Sequence, residues 1–241
     1  MPLYTADALV LRTYKLGEAD RIVVFLTRDR GKKRGVAKGA RRQRSRFLGA
    51  LEPLTEVRMA YFESERRELV GLNYAETVRS PLSLVGGPKG PPLRTTDLST
   101  TDLSRGAPSG APDAFGYVEY FAELLDEWAQ EADADDRLYR LGASMLDALS
   151  AGVPVEPLAR YFEYWLLRLQ GVYPESRGTL SAGAVTFLAA SRTAAPDQVG
   201  QVPVDPRVLR ELENVHRGLI ATHLEKALKS DRVLRDLRRH V

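Results

Sequence analysis

At 241 residues, 44% apolar and 28% charged, the chain is long enough for two modest domains and has the composition of a soluble globular protein. No apolar run nears the roughly 18 residues that cross a bilayer, and the absence of cysteine excludes disulfides, thiolate zinc sites, iron–sulfur clusters and thiol nucleophiles, which fits a reducing cytoplasm. The net charge of +3 hides a division: residues 1–80 carry 17 Lys or Arg against 10 Asp or Glu, whereas residues 81–241 carry 18 against 22.

The chain opens on MPLYTADALVLRTY, which lacks a basic region followed by a continuous apolar run, so no secretory signal is expected. The first 80 residues read as five short strands: residues 6–14, 21–27, 33–39, 56–62 and 68–77. Val57, Met59 and Tyr61 fall on one face of the fourth. Gly17-Glu18 and Asp29-Arg30-Gly31 supply turn chemistry between runs. Tightly connected short strands suit a small barrel, either an OB-fold or an SH3-like one.

Residues 81–113 are rich in Gly, Pro, Ser and Thr and repeat TTDLS in tandem, which reads as a flexible linker. A short recognition peptide centred on Leu98 and Leu103 is the alternative. From residue 114 the period becomes helical. Val118, Phe121, Leu125 and Trp128 form one stripe, Leu138, Leu141, Met145 and Leu149 a second, and Leu158, Tyr161, Phe162, Trp165, Leu166 and Leu169 the widest. About six helices are expected, with Asp205, Ser181 and Ser230 as caps and Pro157 and Pro206 in first turns. The fold class is therefore α+β: a five-stranded OB-fold-like barrel over 1–80, then an all-α domain over 114–241.

The catalytic inventory is nearly empty. The chain has no nucleophile elbow, no paired metalloprotease histidines, no phosphate-binding loop and no dinucleotide fingerprint, so no enzyme, cofactor or metal site is expected. His216 and His223 stand seven apart, too far along a helix to share a metal. The eight carboxylates of residues 119–136 fall mostly opposite Phe121, Leu125 and Trp128, on a face expected to be solvated.

Residues 31–47, GKKRGVAKGARRQRSRF, hold eight Lys or Arg and no acid. Closely spaced phosphates reward such density because their neutralisation releases condensed counterions. Lys32, Arg34 and Lys38 share one strand face by the period of two, and a following loop carries Arg41, Arg42, Arg44 and Arg46. Phe47, Tyr14, Tyr61 and Phe62 are available either to stack bases or to fill the core.

Three stretches carry a resemblance: LRTYKLGEADRIVVFLT (11–27), GVAKGARR (35–42) with Ser45, and GALEPL (49–54). Together they resemble the amino-terminal domain of the bacterial recombination mediator RecO. ARYFEYWLLRLQGVYPE (159–175) is similar to that family's central helix, and LEKALKSDRVL (224–234) to its closing one. The resemblance implies a cytoplasmic, nucleoid-associated protein that binds single- and double-stranded DNA, anneals complementary strands without ATP, and loads the RecA recombinase. Its implied partners are RecR and the tail of the single-strand-binding protein. It places DNA contacts at Lys32, Lys33, Arg34, Lys38, Arg41, Arg42, Arg44 and Arg46, and a tail contact at Arg160. Many members carry a four-cysteine zinc module after Gly-Tyr-x-Pro; this chain passes from Pro174 to Leu180 without cysteine, so no zinc is expected. An RNA-binding or ribosome-associated barrel protein would show the same basic segment.

Overall fold

The computed structural model describes residues 2–64, 66–81, 111–174, 180–230, 233 and 234. Five strands, β1 (Leu3–Leu16), β2 (Asp20–Thr27), β3 (Gly31–Ala37), β4 (Glu56–Phe62) and β5 (Val70–Arg79), close a barrel in the order β1-β2-β3-β5-β4. All pairs are antiparallel except β3 with β5, which meet in parallel at Gly35–Val70 and Val36–Gly71. This is the five-stranded OB arrangement. Helices follow: α1 (Ala111–Trp128), α2 (Asp136–Ser150), α3 (Val155–Leu169), α4 (Ala182–Ser191), a 3-10 turn (Pro196–Gln201) and α5 (Pro206–Leu224). Thus α1 begins inside the stretch read as linker, while Leu98, Leu103 and the TTDLS repeat lie outside the described residues. No described helix is long and apolar enough to cross a membrane.

The barrel wall explains why β1 and β2 are apolar without alternation. Ala8, Val10, Val23 and Phe25 fill the barrel with Val57, Met59 and Tyr61, while Leu9, Leu11, Val24 and Leu26 point outward into the core of the helices. A strand buried on both faces gains nothing from polar residues on either. A bulge between Val10 and Arg12 shifts the phase of β1, so Arg12 stays on the outer side with Leu11 and pairs with Val24.

The helices pack around α3. Leu158, Phe162, Leu166 and Leu167 are all inaccessible to solvent, and Phe162 meets Phe121 of α1 at a ring separation of 4.7 Å. The capping expectations hold at two starts: Ser181 Oγ accepts from Ala184 N–H at 3.2 Å, and an Asp205 carboxylate oxygen accepts from Arg207 N–H at 2.7 Å. Ser230 differs. Its backbone N–H and its hydroxyl both donate to Glu123 of α1, at 2.7 and 2.5 Å, and Lys229 N–H joins them at 3.1 Å. A carboxylate from a distant helix thus serves the free amides where a helical turn opens at Lys229 and Ser230.

Candidate nucleic-acid interface

The eight cations expected to act together divide into two sets. Lys32, Lys33 and Arg34 belong to β3, and each has a carboxylate partner. Lys32 Nζ donates to Asp126 carbonyl oxygen at 2.6 Å and lies 3.4 Å from its carboxylate; Arg34 reaches Glu131 at 2.9 Å; Lys33 reaches Glu63 at 2.7 Å. Backbone bonds from Lys32 N–H to Gln130 carbonyl and from Ala132 N–H to Lys32 carbonyl extend the edge of β3 with a segment of the helical region. The expectation of a free basic strand face is corrected here: Lys32 and Arg34 secure the barrel to the helices. Three carboxylates of the acidic run are corrected with it, while Glu119, Glu131 and Asp133 are exposed as expected. Glu123, Asp126 and Glu127 are largely buried and paired with Arg12, Lys32 and Lys226, because the outer face of α1 meets the barrel and residues 226–230 rather than water.

Lys38, Arg41, Arg42, Arg44 and Arg46 form the second set. All five are exposed, and none has a carboxylate partner among the described residues. They ride on a connection, residues 38–55, held down at its far end by Phe47, Ala50 and Leu51, whose side chains plug the barrel core, and by Leu54, which packs under the helices. Leu54 N–H donates to Val10 carbonyl and Val10 N–H to Thr55 carbonyl, at 2.7 and 2.9 Å, continuing the β1–β4 ladder beyond the Leu9–Glu56 pair. Phe47 and Tyr61 are therefore core residues rather than stacking platforms. Tyr14 is exposed, its hydroxyl 3.4 Å from an Arg12 guanidinium nitrogen, and Phe62 is half-buried.

The near end of the connection is tied to the tip of the β1–β2 hairpin. Arg41 Nη1 donates to Gly17 and Glu18 carbonyls at 2.8 and 2.9 Å, Arg41 N–H donates to Ala19 carbonyl at 2.9 Å, and Gly39 N–H donates to Asp20 Oδ1 at 2.8 Å. Gly39 has φ +72°, a reversal that a side chain would resist. The hairpin brings two cations that the sequence reading passed over. Lys15 and Arg21 are directly opposite each other, and Arg21 opposes Ala37 at the start of the basic connection. Both continue the strand face of Val23 beyond the end of the barrel core. The signal was available, since Arg21 stands two residues before Val23.

Arg160 lies elsewhere and is almost wholly inaccessible, at 3% exposure. Its Nη2 donates to Glu163 Oε1 at 2.8 Å and its Nη1 lies 3.3 Å from Glu213 of α5. Tyr120 hydroxyl shares Glu163 Oε1 at 2.7 Å, and His216 Nδ1 is 2.9 Å from Oε2; a carboxylate can only accept, so the ring N–H points there. This is an internal tie among α1, α3 and α5, and in this structure Arg160 is not presented to a partner. His223 is exposed and stacks on Trp128. Among the described residues no three His, Asp or Glu side chains are grouped to hold a metal ion.

Comparison with known sequences follows the same two-part division. Residues 1–81 match the family model described as recombination protein O N terminal, and residues 110–179 match recombination protein O C terminal. The chain belongs to the RecO family. A DNA repair protein RecO of Koribacter versatilis is 37% identical over 173 residues, covering 72% of this chain and 61% of that protein. One from an Anaeromyxobacter strain is 36% identical over 73% of this chain and 60% of its own length. One from Bifidobacterium adolescentis reaches 55% over 78 residues, 32% of this chain and 31% of its own. The matches thus span about three fifths of the first two relatives.

Proposed function

We propose that the protein is a DNA-binding recombination mediator that holds single- and double-stranded DNA by its phosphates. In that role it anneals complementary strands without ATP and assists recombinase loading together with RecR and the single-strand-binding protein. One observation carries the reading: five exposed cations crowd a connection that is anchored at both ends, and no described carboxylate neutralises them. A cation already paired within the protein displaces few of the counterions condensed on DNA, whereas an unpaired one neutralises a phosphate and frees the counterions held there. Lys38, Arg42 and Arg44 are accordingly the principal contacts, with Arg46, Lys15 and Arg21 beside them. Holding a strand through its backbone lowers the repulsion between two complementary strands and speeds their encounter.

The test is a salt titration of labelled single-stranded DNA binding. Replacing Lys38, Arg42 and Arg44 together by Glu is expected to weaken binding by more than tenfold and to make the salt slope shallower by about 0.7 for each phosphate released. Lys32→Ala is expected to keep the slope and instead lose about 1–3 kcal/mol of stability, because Asp126 loses one of its two cationic partners and its carbonyl loses the Nζ donor in the joint between barrel and helices. Equal salt slopes in wild type and the triple variant would remove this surface from the mechanism. An RNA-binding barrel would instead prefer RNA over DNA of equal length, since the 2′-hydroxyl is what distinguishes them. Annealing of DNA coated with its single-strand-binding protein, with and without that protein's tail, tests the partner role.

A further inference from the structure

An acid within a surface built to meet phosphates weakens binding by its charge, so Asp20 at the tip of the β1–β2 hairpin calls for a reason. Its Oδ1 accepts the Gly39 N–H at 2.8 Å, at the reversal where β3 gives way to the basic connection. Two further ties act beside it: Arg41 N–H to Ala19 carbonyl, and Arg41 Nη1 to the carbonyls of Gly17 and Glu18. Between these ties and the buried Phe47, the segment carrying Arg42 and Arg44 spans only a few residues.

The geometry points to Asp20 as a positioning residue for polyanion binding, one that clamps the basic connection onto the hairpin so that Lys15 and Arg21 face the same ligand as Lys38, Arg42 and Arg44. The clamp acts by preorganisation. A loose segment must lose backbone and side-chain freedom when it meets a strand, and fixing it beforehand removes that cost from the binding step. Holding the loop through this bond gains more for binding than the carboxylate loses by repelling phosphate, since Oδ1 accepts from the protein backbone. Arg41, whose Nη1 is committed to two carbonyls, shares this positioning role more than it contacts the ligand.

This inference rests on the DNA-binding reading above, and charge and geometry separate cleanly in two variants. Asp20→Ala and Asp20→Asn remove the same negative charge, but the Asn amide oxygen can still accept from Gly39. With single-stranded DNA as probe, Asp20→Asn is expected to bind as tightly as wild type or more tightly. Asp20→Ala is expected to bind roughly three- to tenfold more weakly, the effect of one lost hydrogen bond to a charged acceptor. Its salt slope falls as well, because Lys15 and Arg21 no longer act with the loop. Hydrogen exchange of residues 38–46 without DNA reads the clamp directly: faster exchange in Asp20→Ala than in Asp20→Asn is expected. Equal exchange in the two variants, or Asp20→Ala binding as tightly as Asp20→Asn, would overturn the proposal. If the wild type fails to bind DNA, the parent reading falls instead, while the exchange comparison still decides whether Asp20 holds the loop. Asp20 is the first residue of β2 and its side chain belongs to neither apolar core, so native circular dichroism is expected of each variant.

Discussion

Arg160 and Arg44 show how far a residue's role depends on what the chain folds around it. Both read as candidate contacts, yet one is enclosed and the other exposed. Glu163, one helical turn after Arg160, gave a local hint of pairing, but Glu213 and His216 arrive from α5, some fifty residues later, and no spacing rule reports that. The enclosed group is held by its partners: Glu163 receives bonds from Arg160, Tyr120 and His216, so its charge is met on both oxygens. Removing one member of such a cluster leaves the others charged and unsatisfied. Arg160→Ala is therefore expected to cost about 3–5 kcal/mol in urea unfolding while leaving the salt slope of DNA binding unchanged in the folded protein. A variant with native stability and lost affinity for a partner's tail would reverse that assignment and return Arg160 to a contact role.

Among the elements, the strands were the most legible and the helical acids the least. All five strands appear where the sequence places them, since β-branched runs and glycine turns are local signals. The phase of β1 was not legible, because a bulge depends on the partner strand and a continuous apolar run such as Ala8–Leu11 does not report which face each residue takes. The acidic face of α1 was read as solvated for a similar reason: Lys32 and Arg12, which pair with it, are some ninety or more residues earlier. Gly31 sits at that junction. It has φ +68°, and a Cβ there would overlap the backbone of Asp133, so the turn into β3 and the approach of the helical segment both demand glycine. Gly31→Ala is expected to lower stability by about 1–3 kcal/mol and to loosen residues 130–133, seen as faster hydrogen exchange there. Unchanged exchange would mean that the β3 edge is not what holds this segment.

At the scale of the whole molecule, the barrel and the helices share one apolar core through Leu9, Leu11, Val24, Leu26 and Leu54, and a polar seam closes its margin. Tyr139 of α2 donates its hydroxyl hydrogen to Glu56 of β4 at 2.9 Å, and Arg79 of β5 bridges Glu56 and Asp147. This seam makes the fold sensitive to alkali. Burial pushes the Tyr139 phenol well above its ordinary value of 10, and the Glu56 carboxylate adds to the shift; burial, partly opposed by Arg30, carries Tyr61 in the barrel to about 12. A tyrosine is neutral when protonated, so the folded state holds the proton more tightly and the unfolded chain releases it first, near pH 10. Stability is therefore complete below pH 10 and declines as the pH rises from there toward 12. The two tyrosines are separable. Tyr61 hydroxyl is buried without a hydrogen-bond partner among the described residues, so Tyr61→Phe should leave the urea midpoint at pH 8 unchanged or raised and should reduce the loss between pH 10 and 11.5. Tyr139→Phe should reduce the alkaline loss too, but at pH 8 it should cost about 1–3 kcal/mol, because Glu56 loses a donor in a place with little water. Parallel midpoint curves for wild type and both variants across that range would mean that neither phenol is held protonated by the fold.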